Sequence, residues 1–400
     1  MEGMSLGIYV SIPFCRTKCS YCNFASGVFS KAVFGRYLDR LGSDVEGAAE
    51  TGAEMGGVFQ NHVDTVYMGG GTPTLLESAQ LQYILKTLRR TFVFDSKAEI
   101  TVECAPGTLG LSVLETLVLC GVNRVSLGVQ SFIDQEAASV GRLHTGRTVL
   151  AEIDTLRSAG IENINLDLIA GLPHQTAASW DESLQQAIDS GVPHVSVYML
   201  EVDDDSRLGR ELIAGGARYH AHFVPDEDLT ADLYLHACTR LEAAGILQYE
   251  ISNFARSGSA SRHNLKYWTR QPYLGFGVDA HSMLPAPAGA GLESVRFSTP
   301  DVLEQYTSGA ALSRTPVTWS AALEEAFFLG LRLTAGIDLS ELAERYGTSA
   351  TSVFREESAE LCSENLLELI DGRLRLTPRG RLLSNEVFAR FLGAKAGSRS

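Results

Sequence analysis

The chain has 400 residues, of which 45% are hydrophobic, and its formal charge is −15 at pH 7. This length suits one large α/β domain with a smaller second domain, and the apolar content is ample for a core. The acidic balance disfavours a nucleic-acid-binding surface, which would be basic. No apolar run approaches the roughly 18 residues of a membrane span, and no signal peptide opens the chain, so we expect a cytoplasmic protein without stable membrane insertion.

Short apolar runs alternate with amphipathic segments over the first half of the chain. The pattern predicts strands at 7–14, 63–69, 98–104, 124–130, 163–170 and 194–200, and helices at 31–50, 77–91, 109–120, 145–159 and 177–191. Six such alternations are typical of parallel βα units. We therefore predict an α/β fold with an open, partial (β/α)6 barrel over residues 1–203, and functional side chains at the carboxyl ends of its strands.

Three cysteines follow the first predicted strand, in Cys15-Arg-Thr-Lys-Cys19-Ser-Tyr-Cys22. An odd number of thiols leaves one sulfur over, which argues against a disulfide framework. A structural zinc site needs four protein ligands, and no fourth Cys or His stands nearby at ligand spacing. An iron–sulfur cluster held by three thiolates fits better, because it leaves one iron open to bind a reactant.

Polar residues mark the ends of the later predicted strands. The run Gly69-Gly-Gly-Thr-Pro-Thr74 would let the backbone approach a ligand closely, since glycine has no Cβ. Glu103 and Asp167 place carboxylates at strand ends, and Gln130 places an amide there that needs a polar partner if buried. With Arg142, these side chains are candidates to bind one polar ligand.

The second half of the chain is less regular. Residues 204–300 are predicted to complete the barrel, with an irregular lid or insertion at 203–227, a helix near 228–244 and the motif His263-Asn-Leu-Lys-Tyr-Trp268. Residues 301–393 are predicted to form a winged-helix-like domain, with helices at 321–334, 338–346, 350–368 and 378–393 and a two-stranded wing at 367–377. That domain has no dense basic stripe, so we expect it to pack or bind a partner. Residues 394–400 are expected to be a disordered tail.

The motif C-x-x-x-C-x-Y-C after a strand resembles the radical S-adenosylmethionine (SAM) superfamily. Four further motifs, at 69–74, 125–132, 141–144 and 165–173, resemble its branch of oxygen-independent coproporphyrinogen III oxidases, over residues 7–390. The resemblance implies that the three cysteines hold a [4Fe-4S] cluster whose open iron binds SAM. By motif, it implies SAM contacts at Tyr9, Tyr21, Gly70, Gly71, Thr72, Glu103, Gln130, Arg142 and Asp167.

One position separates two members of this branch. The oxidase proper has a fourth cysteine two residues after the third, where this chain has Phe24. Phe24 and the H-N-x-x-Y-W motif resemble a heme chaperone branch, which implies heme as cargo. On that basis His263 is a candidate iron ligand, and Tyr267 and Trp268 are candidate porphyrin contacts. His281 is a second candidate ligand, and a packed core histidine is the competing interpretation of His263.

Two functions stay open at this point, and with them the question of whether the protein is an enzyme. The resemblance implies a chaperone that passes heme to a hemoprotein such as a respiratory one, or an oxidase that decarboxylates coproporphyrinogen III through a SAM-derived radical. A protein that only transfers electrons is disfavoured, because the glycine loop and polar strand ends would have no role. A cluster-linked homodimer is an open possibility. Cys104 departs from the family, which often has Asn there, and His220 and His222 are interpreted as surface histidines.

Overall fold

The computed structural model describes residues 5–392. Six strands pair in chain order, each parallel to the next. They are β1 (Leu6–Ile12), β2 (His62–Gly70), β3 (Val93–Cys104), β4 (Arg124–Gln130), β5 (Asn163–Ala170) and β6 (His194–Met199). The six predicted strands and their parallel order are confirmed.

Seven helices connect and flank these strands. They are α1 (Lys31–Glu46), α2 (Ala48–Glu54), α3 (Ser78–Thr91), α4 (Leu111–Leu119), α5 (Asp134–Ser139), α6 (Gly146–Ser158) and α7 (Ala177–Asp189). The predicted helix 31–50 is thus two helices that meet at Gly47. Each long helix buries one apolar stripe; in α3, Leu81, Ile84, Leu85 and Leu88 follow helical spacing and are at most 2% exposed.

Alternation along β1 shows how the sheet separates its two faces. Leu6, Ile8, Val10 and Ile12 belong to the main apolar core. Tyr9 and Ser11, on the other face, line a cavity. Side chains point to opposite faces at successive positions of a strand. The apolar face is therefore covered by helices, and the other face is free to hold polar groups.

The sheet extends beyond the six strands at both edges. Next to β6 lies β8 (Asn253–Ala255), which is antiparallel to it, and beyond β8 lies β7 (Leu247–Glu250), which is antiparallel to β8. Next to β1 lie β9 (Tyr273–Phe276), which is parallel to it, and then β10 (His281–Pro285), β11 (Ser294–Ser298) and β12 (Ser313–Val317), which are antiparallel. Within residues 5–392 the outer strands β12 and β7 do not pair, so the barrel is open, as predicted.

Three helices lie between β6 and β9: α8 (Arg207–Ala214), α9 (Glu227–Ala243) and α10 (Arg262–Trp268). The prediction of an irregular excursion at 203–227 is therefore wrong for 207–214. Ser206 accepts a hydrogen bond from the N–H of Gly209 and caps α8, and Leu208 is fully buried beneath it. A short 3₁₀ turn, Ala221–Phe223, follows before α9.

The last part of the described chain has a second core and a second sheet. Before it, α11 (Leu303–Ser308) precedes β12 and packs Tyr306 into the main core. The helices of the last part are α12 (Trp319–Gly330), α13 (Leu339–Tyr346), α14 (Thr348–Thr351), α15 (Arg355–Ser363), α16 (Pro378–Leu382) and α17 (Ser384–Arg390). Its strands β13 (Ile337–Asp338), β14 (Leu367–Ile370) and β15 (Arg373–Leu376) form a sheet in the order β13-β15-β14. The wing is present with one strand more than predicted. The predicted helix 350–368 ends at Ser363, and the last one is two short helices.

The boundaries between the predicted domains stay predictions, and the tail 394–400 lies outside the described residues. Phe327, Phe354 and Phe391 form the centre of the second core, with ring centroids 4.5–5.7 Å apart. Among residues 5–392, no helix combines the length and the apolar character needed to cross a membrane.

Candidate functional site

A cavity of about 240 Å³ opens where the parallel strands end. Strands β1, β2 and β3 contribute to its wall, together with the segment after the cysteines and the segment after β9. Its lining residues are Tyr9, Ser11, Phe24, Ala25, Gly70, Glu103, Val278 and Asp279. Three of the predicted SAM contacts therefore share one cavity. A larger groove of about 680 Å³ between α4 and α6 contains none of the predicted site residues.

Glu103 and Asp279 are the two acidic residues that line this cavity, and Glu103 lies at the end of β3. The hydroxyl of Tyr67 donates to its Oε1 at 2.9 Å, and the N–H of Gly70 donates to its Oε2 at 3.0 Å. Burial and, to a smaller extent, the nearby carboxylate of Asp167 raise the pKa of Glu103 to about 7, against the lowering effect of these donors. A carboxyl poised between its two protonation states can accept a hydrogen bond from an ammonium or a hydroxyl group of a ligand.

The glycine run brings β2 against the backbone of the cysteine loop. A Cβ on Gly71 would lie 2.6 Å from the carbonyl oxygen of Ile12 and 2.8 Å from that of Phe14. Gly70 has a φ of +93°, which favours glycine. The N–H of Thr72 donates to the carbonyl oxygen of Phe14 at 2.8 Å and fixes this approach. Gly71 is therefore required by the close contact of two backbones and Gly70 by its positive φ, while a Cβ on Gly69 would lie 2.6 Å from the carboxyl carbon of Glu103.

Charged and amide groups from β4, β5 and the segment before α6 lie near this cavity. Asp167 accepts hydrogen bonds from Ser126 at 3.0 Å and from Asn165 at 2.8 Å, and burial raises its pKa. Arg142 donates to the hydroxyl of Tyr21 at 3.3 Å, and its charge lowers the pKa of Glu103. These contacts link the cysteine loop to the strand ends.

Gln130 ends β4 in a strained conformation. Its φ is +68°, in the left-handed region that non-glycine residues rarely adopt, and the residue is 5% exposed. Strain of this kind persists where the surrounding structure fixes it, and it concentrates at functional sites. The position of Gln130 therefore fits a ligand contact. The assignment of all nine residues to SAM stays a prediction.

The cysteine loop is anchored at both of its ends. The N–H of Cys15 donates to the carbonyl oxygen of Gly27 at 2.8 Å, and that of Gly27 donates to Pro13 at 2.9 Å. All three thiols are free. Burial raises the pKa of Cys15, and the proximity of Cys22 and Cys19 contributes to the rise.

The donor set fits an iron–sulfur cluster. Over residues 5–392 no three His, Cys, Asp or Glu side chains are already positioned as a metal site. The cysteine side chains must therefore turn to ligate iron. The cavity lined by Tyr9, Gly70 and Glu103 also reaches Phe24 and Ala25, directly after the cysteines. Three thiolates next to that space suit a cluster with one open iron.

The H-N-x-x-Y-W motif lies at the opposite end of the barrel. His263 is 1% exposed; its Nδ1 is 2.9 Å from Oγ1 of Thr65, and its Nε2 is 2.9 Å from the hydroxyl of Tyr267. A Cβ on Gly7, near the start of β1, would touch its ring. Tyr9, the first predicted SAM contact on β1, is two residues later, roughly 7 Å along the strand at 3.3 Å per residue. The ring of Tyr67 lies between the two, with its centroid 5.4 Å from that of His263 and 6.2 Å from that of Tyr9.

This geometry bears directly on the proposed heme ligands. Both ring nitrogens of His263 are occupied, and Trp268 packs against the guanidinium of Arg332, 4.3 Å from its ring centroid. A heme iron would have to displace these contacts inside a closed core. The role of His263, Tyr267 and Trp268 in heme binding stays a prediction, and their positions fit a structural role instead.

The other candidate ligand is exposed. The side chain of His281 is 66% exposed, and its Nε2 lies 3.7 Å from a carboxylate oxygen of Asp279. Asp279 lines the cavity and was not predicted from the sequence, nor was Tyr67, the donor to Glu103. Tyr67 could have been found from strand alternation, because it lies on the same face of β2 as Thr65 and Gly69.

A partial barrel that presents three thiols beside a glycine cradle at its strand ends has the architecture of a radical SAM protein. The Radical SAM superfamily model matches residues 9–187, and the model of the HemN C-terminal domain matches 318–383. The solved coproporphyrinogen III oxidase HemN from Escherichia coli superposes with a TM-score of 0.82 at 25% identity, over 97% of this chain and 90% of that one.

Full-length relatives define the family more narrowly. The heme chaperone HemW of Bacillus subtilis (strain 168) is 35% identical over 388 residues, which cover 96% of this chain and 98% of that protein. HemW of Mycobacterium tuberculosis (strain ATCC 25618 / H37Rv) is 33% identical over 406 residues, covering 98% of this chain and 96% of that protein. The chain belongs to the HemW family.

Proposed function

We propose that this protein binds heme in the cytoplasm and delivers it to a hemoprotein such as a respiratory one. The observation that carries the proposal is the identity of 35% with a heme chaperone over nearly the whole of both chains. Phe24, 64% exposed beside the cysteine loop, supports it, because the oxidase motif has its fourth cysteine at that position.

The proposal includes a [4Fe-4S] cluster and SAM as cofactors. Cys15, Cys19 and Cys22 would hold the cluster, whose open iron supplies a site for the amino and carboxylate groups of SAM. Glu103 would accept a hydrogen bond from the bound ligand, and its raised pKa lets it do so in either protonation state. The glycine run would keep the backbone close to the ligand and exclude water.

A cluster-linked homodimer is also part of the proposal. Phe24 and Val28 are both 64% exposed on either side of the last cysteine-loop anchor, so an apolar surface adjoins the predicted cluster. Surfaces of this kind mark contacts with a second protein. Light scattering of the protein with and without the reconstituted cluster measures the dimer, and a mass that does not depend on the cluster would contradict it.

The decisive experiment compares heme binding with decarboxylation. Anaerobically reconstituted protein is titrated with hemin by absorbance, and a second sample is incubated with SAM, a reductant and coproporphyrinogen III. Saturable heme binding without protoporphyrinogen is the expected result. Formation of decarboxylated product without heme binding would establish the oxidase instead.

A variant pair tests the role of the cluster in transfer. Cys19→Ser removes a predicted cluster ligand, whereas Cys238→Ser removes a free thiol on α9 as a matched control. We expect the first variant to keep heme binding but to lose transfer to an apo-hemoprotein, and the second to keep both. Unchanged transfer by Cys19→Ser would rule out a role for the cluster.

A further inference from the structure

One buried cation of the barrel differs from the others in having no counter-charge. Three cationic side chains of residues 5–392 are less than 5% exposed, namely Arg124, Lys266 and Arg270. Lys266 pairs with a carboxylate oxygen of Asp64 at 2.8 Å, and Arg270 pairs with Glu293 at 3.0 Å. In the same described part of the chain, Arg124 forms no ion pair within 4 Å, and its Nε has no hydrogen-bond partner. Because a buried charge is destabilising unless a counter-charge offsets its loss of water, this guanidinium is a candidate to bind an anion.

Arg124 is the first residue of β4, and its side chain points into the barrel. The next residue, Val125, belongs to the main apolar core on the outer face, so alternation puts Arg124 on the inner face. Burial raises the pKa values of Tyr67 and Asp167, and the positive charge of Arg124 opposes both rises. Burial lowers the pKa of His194, and the same charge contributes to that lowering. The guanidinium therefore lies between β2, β5 and β6, inside the barrel.

Two neighbours of Arg124 in the sheet also have an unpartnered polar atom. In the register of the parallel strands, Arg124 is paired with Thr101 on β3 and with Asn163 on β5. Oγ1 of Thr101 and Oδ1 of Asn163 are buried and have no hydrogen-bond partner within residues 5–392. Most buried polar groups in folded proteins have such a partner. Three adjacent strands therefore present unsatisfied polar atoms on the same face of the sheet.

The other polar side chains around this place are already paired. Nδ1 of His194 lies 2.5 Å from Oδ1 of Asn165, and its Nε2 lies 3.0 Å from the hydroxyl of Tyr249. The carboxylate of Asp167 accepts hydrogen bonds from Ser126 at 3.0 Å and from Asn165 at 2.8 Å. These groups satisfy one another and do not neutralise the guanidinium. The donors that remain are the guanidinium itself and the threonine hydroxyl beside it.

The remaining donors define the class of ligand. A planar guanidinium donates two parallel hydrogen bonds to the two oxygens of a carboxylate, and the hydroxyl of Thr101 can donate a third. The amide of Asn163 presents its NH₂ group in place of its oxygen when the amide is turned over. Neighbouring strands are only about 4.8 Å apart, so the enclosed space suits a small ion. The chemistry is that of a small planar monoanion.

From these contacts we infer that the interior of the barrel binds one small carboxylate-type anion, of the size of formate or hydrogencarbonate, on Arg124 and Thr101. The inference goes beyond the proposed function, since it requires neither the cargo nor the cluster. The anion would lie beneath the predicted SAM cavity. Tyr67, which the charge of Arg124 reaches, donates to Glu103 in the wall of that cavity.

The test follows urea unfolding of the full-length protein at pH 7 and constant ionic strength, while sodium formate replaces the sodium salt of a bulky sulfonate. Arg124→Met removes the guanidinium, and Thr101→Val removes the hydroxyl. Arg147→Met is the matched control, because Arg147 is exposed on α6. A crystal structure of the unmodified protein grown in formate gives the direct readout. A second series with hydrogencarbonate shows which of the two ions binds more tightly.

Above the dissociation constant, each tenfold rise in formate should raise the folded-to-unfolded ratio of the unmodified protein about tenfold. Arg147→Met should respond equally, and Thr101→Val should need about five to ten times more formate for the same response. Arg124→Met should not respond. Without formate, Arg124→Met should be at least as stable as the unmodified protein, because it carries no unpaired charge at this position.

Planar electron density that bridges Arg124 and Thr101, together with the response in solution, would support the site. An unmodified protein that does not respond to either ion, or a response that Arg124→Met retains, would overturn it. Water alone at this position in the crystal would also overturn it. Planar density without a response in solution would identify an adventitious additive only, and would equally overturn the site. If Arg124→Met does not fold, Thr101→Val and the crystal structure decide between these outcomes.

Discussion

Replacing His263 by alanine distinguishes a structural role for this residue from a role in heme ligation. Its imidazole is buried between β2 and α10, with hydrogen bonds to Thr65 and Tyr267. The backbone N–H of His263 donates to a carboxylate oxygen of Glu99 at 3.1 Å, a bond that alanine would keep. If these contacts are its purpose, the substitution must destabilise the fold while leaving the heme affinity of the folded protein unchanged.

The expected loss in the free energy of unfolding is about 3–5 kcal/mol. Each hydrogen bond contributes about 1 kcal/mol net, and the hydroxyls of Thr65 and Tyr267 would remain buried with a partner removed, which costs about 1–3 kcal/mol more. The space left by the ring adds a cavity penalty. His62→Ala, at an exposed position at the start of the same strand, should change stability by less than about 0.5 kcal/mol.

The stability of the wild type should also depend on His263 through pH. Burial, together with the charges of Lys266 and Arg124, lowers the pKa of His263 from 6.5 to about 3. The unfolded chain therefore binds a proton that the folded chain excludes, so this contribution to stability is lost as pH falls from about 6.5 towards 3. His263→Ala should show a shallower decline over that range.

Urea denaturation of the two variants and the wild type from pH 4.5 to 7.5 measures both effects, and hemin titration without urea measures affinity. A His263→Ala protein that keeps wild-type stability but binds heme at least tenfold more weakly would refute the structural role. It would restore His263 as the heme ligand.

Three further outcomes follow from the same contacts. Gly71→Ala should destabilise the fold by about 1–3 kcal/mol and weaken SAM binding, since the added Cβ would meet two fixed carbonyl oxygens. The control Gly35→Ala, which has open space around it in α1, should stabilise the fold by about 0.5–1 kcal/mol. Denaturation measures stability and calorimetry measures SAM binding, and equal effects of the two substitutions would contradict the contact at Gly71. Because the pKa of Glu103 is raised to about 7, its contribution to stability is fully present below about pH 4.5 and is lost as pH rises through 7. Glu103→Gln should remove up to about 3 kcal/mol of this decline in the free energy of unfolding. An unchanged pH profile of stability would count against the raised pKa. Arg270→Ala should lower the free energy of unfolding by about 3–5 kcal/mol, because its buried guanidinium pairs with Glu293 at 3.0 Å and with Glu325 at 2.9 Å. Thermal or urea unfolding measures this loss, and a loss below about 1 kcal/mol would show that the two ion pairs do not stabilise the fold.

The sequence by itself determined the parallel core and the cysteine loop. Strand and helix periods are local, so apolar runs such as 163–170 mark their elements wherever the chain places them. The cysteines lie within eight residues of each other, so their proximity needs no folding. The glycine run could be placed beside the cysteines from the sequence too, because successive parallel strands end at the same edge of the sheet.

The excursion at 203–227 was read incorrectly because its signal is weak and partly tertiary. Helix α8 has only eight residues, and its stability depends on the Ser206 cap and on burial of Leu208 rather than on a long apolar period. The same limitation hid the third strand of the wing, which has two residues.

Only the tertiary structure decided which polar residues are reachable and which are enclosed. The sequence offered His263 as a heme ligand and left His220 as a surface histidine, because the spacing of a motif carries no information about burial. In the folded chain, both ring nitrogens of His263 lie within hydrogen-bond distance of a neighbouring hydroxyl, that of Thr65 or that of Tyr267. The fold also brings His174, in the segment after β5, against His220, which is 46 residues later in the chain. Burial and long-range contacts of this kind depend on the packing of the whole sheet, and no local pattern encodes them.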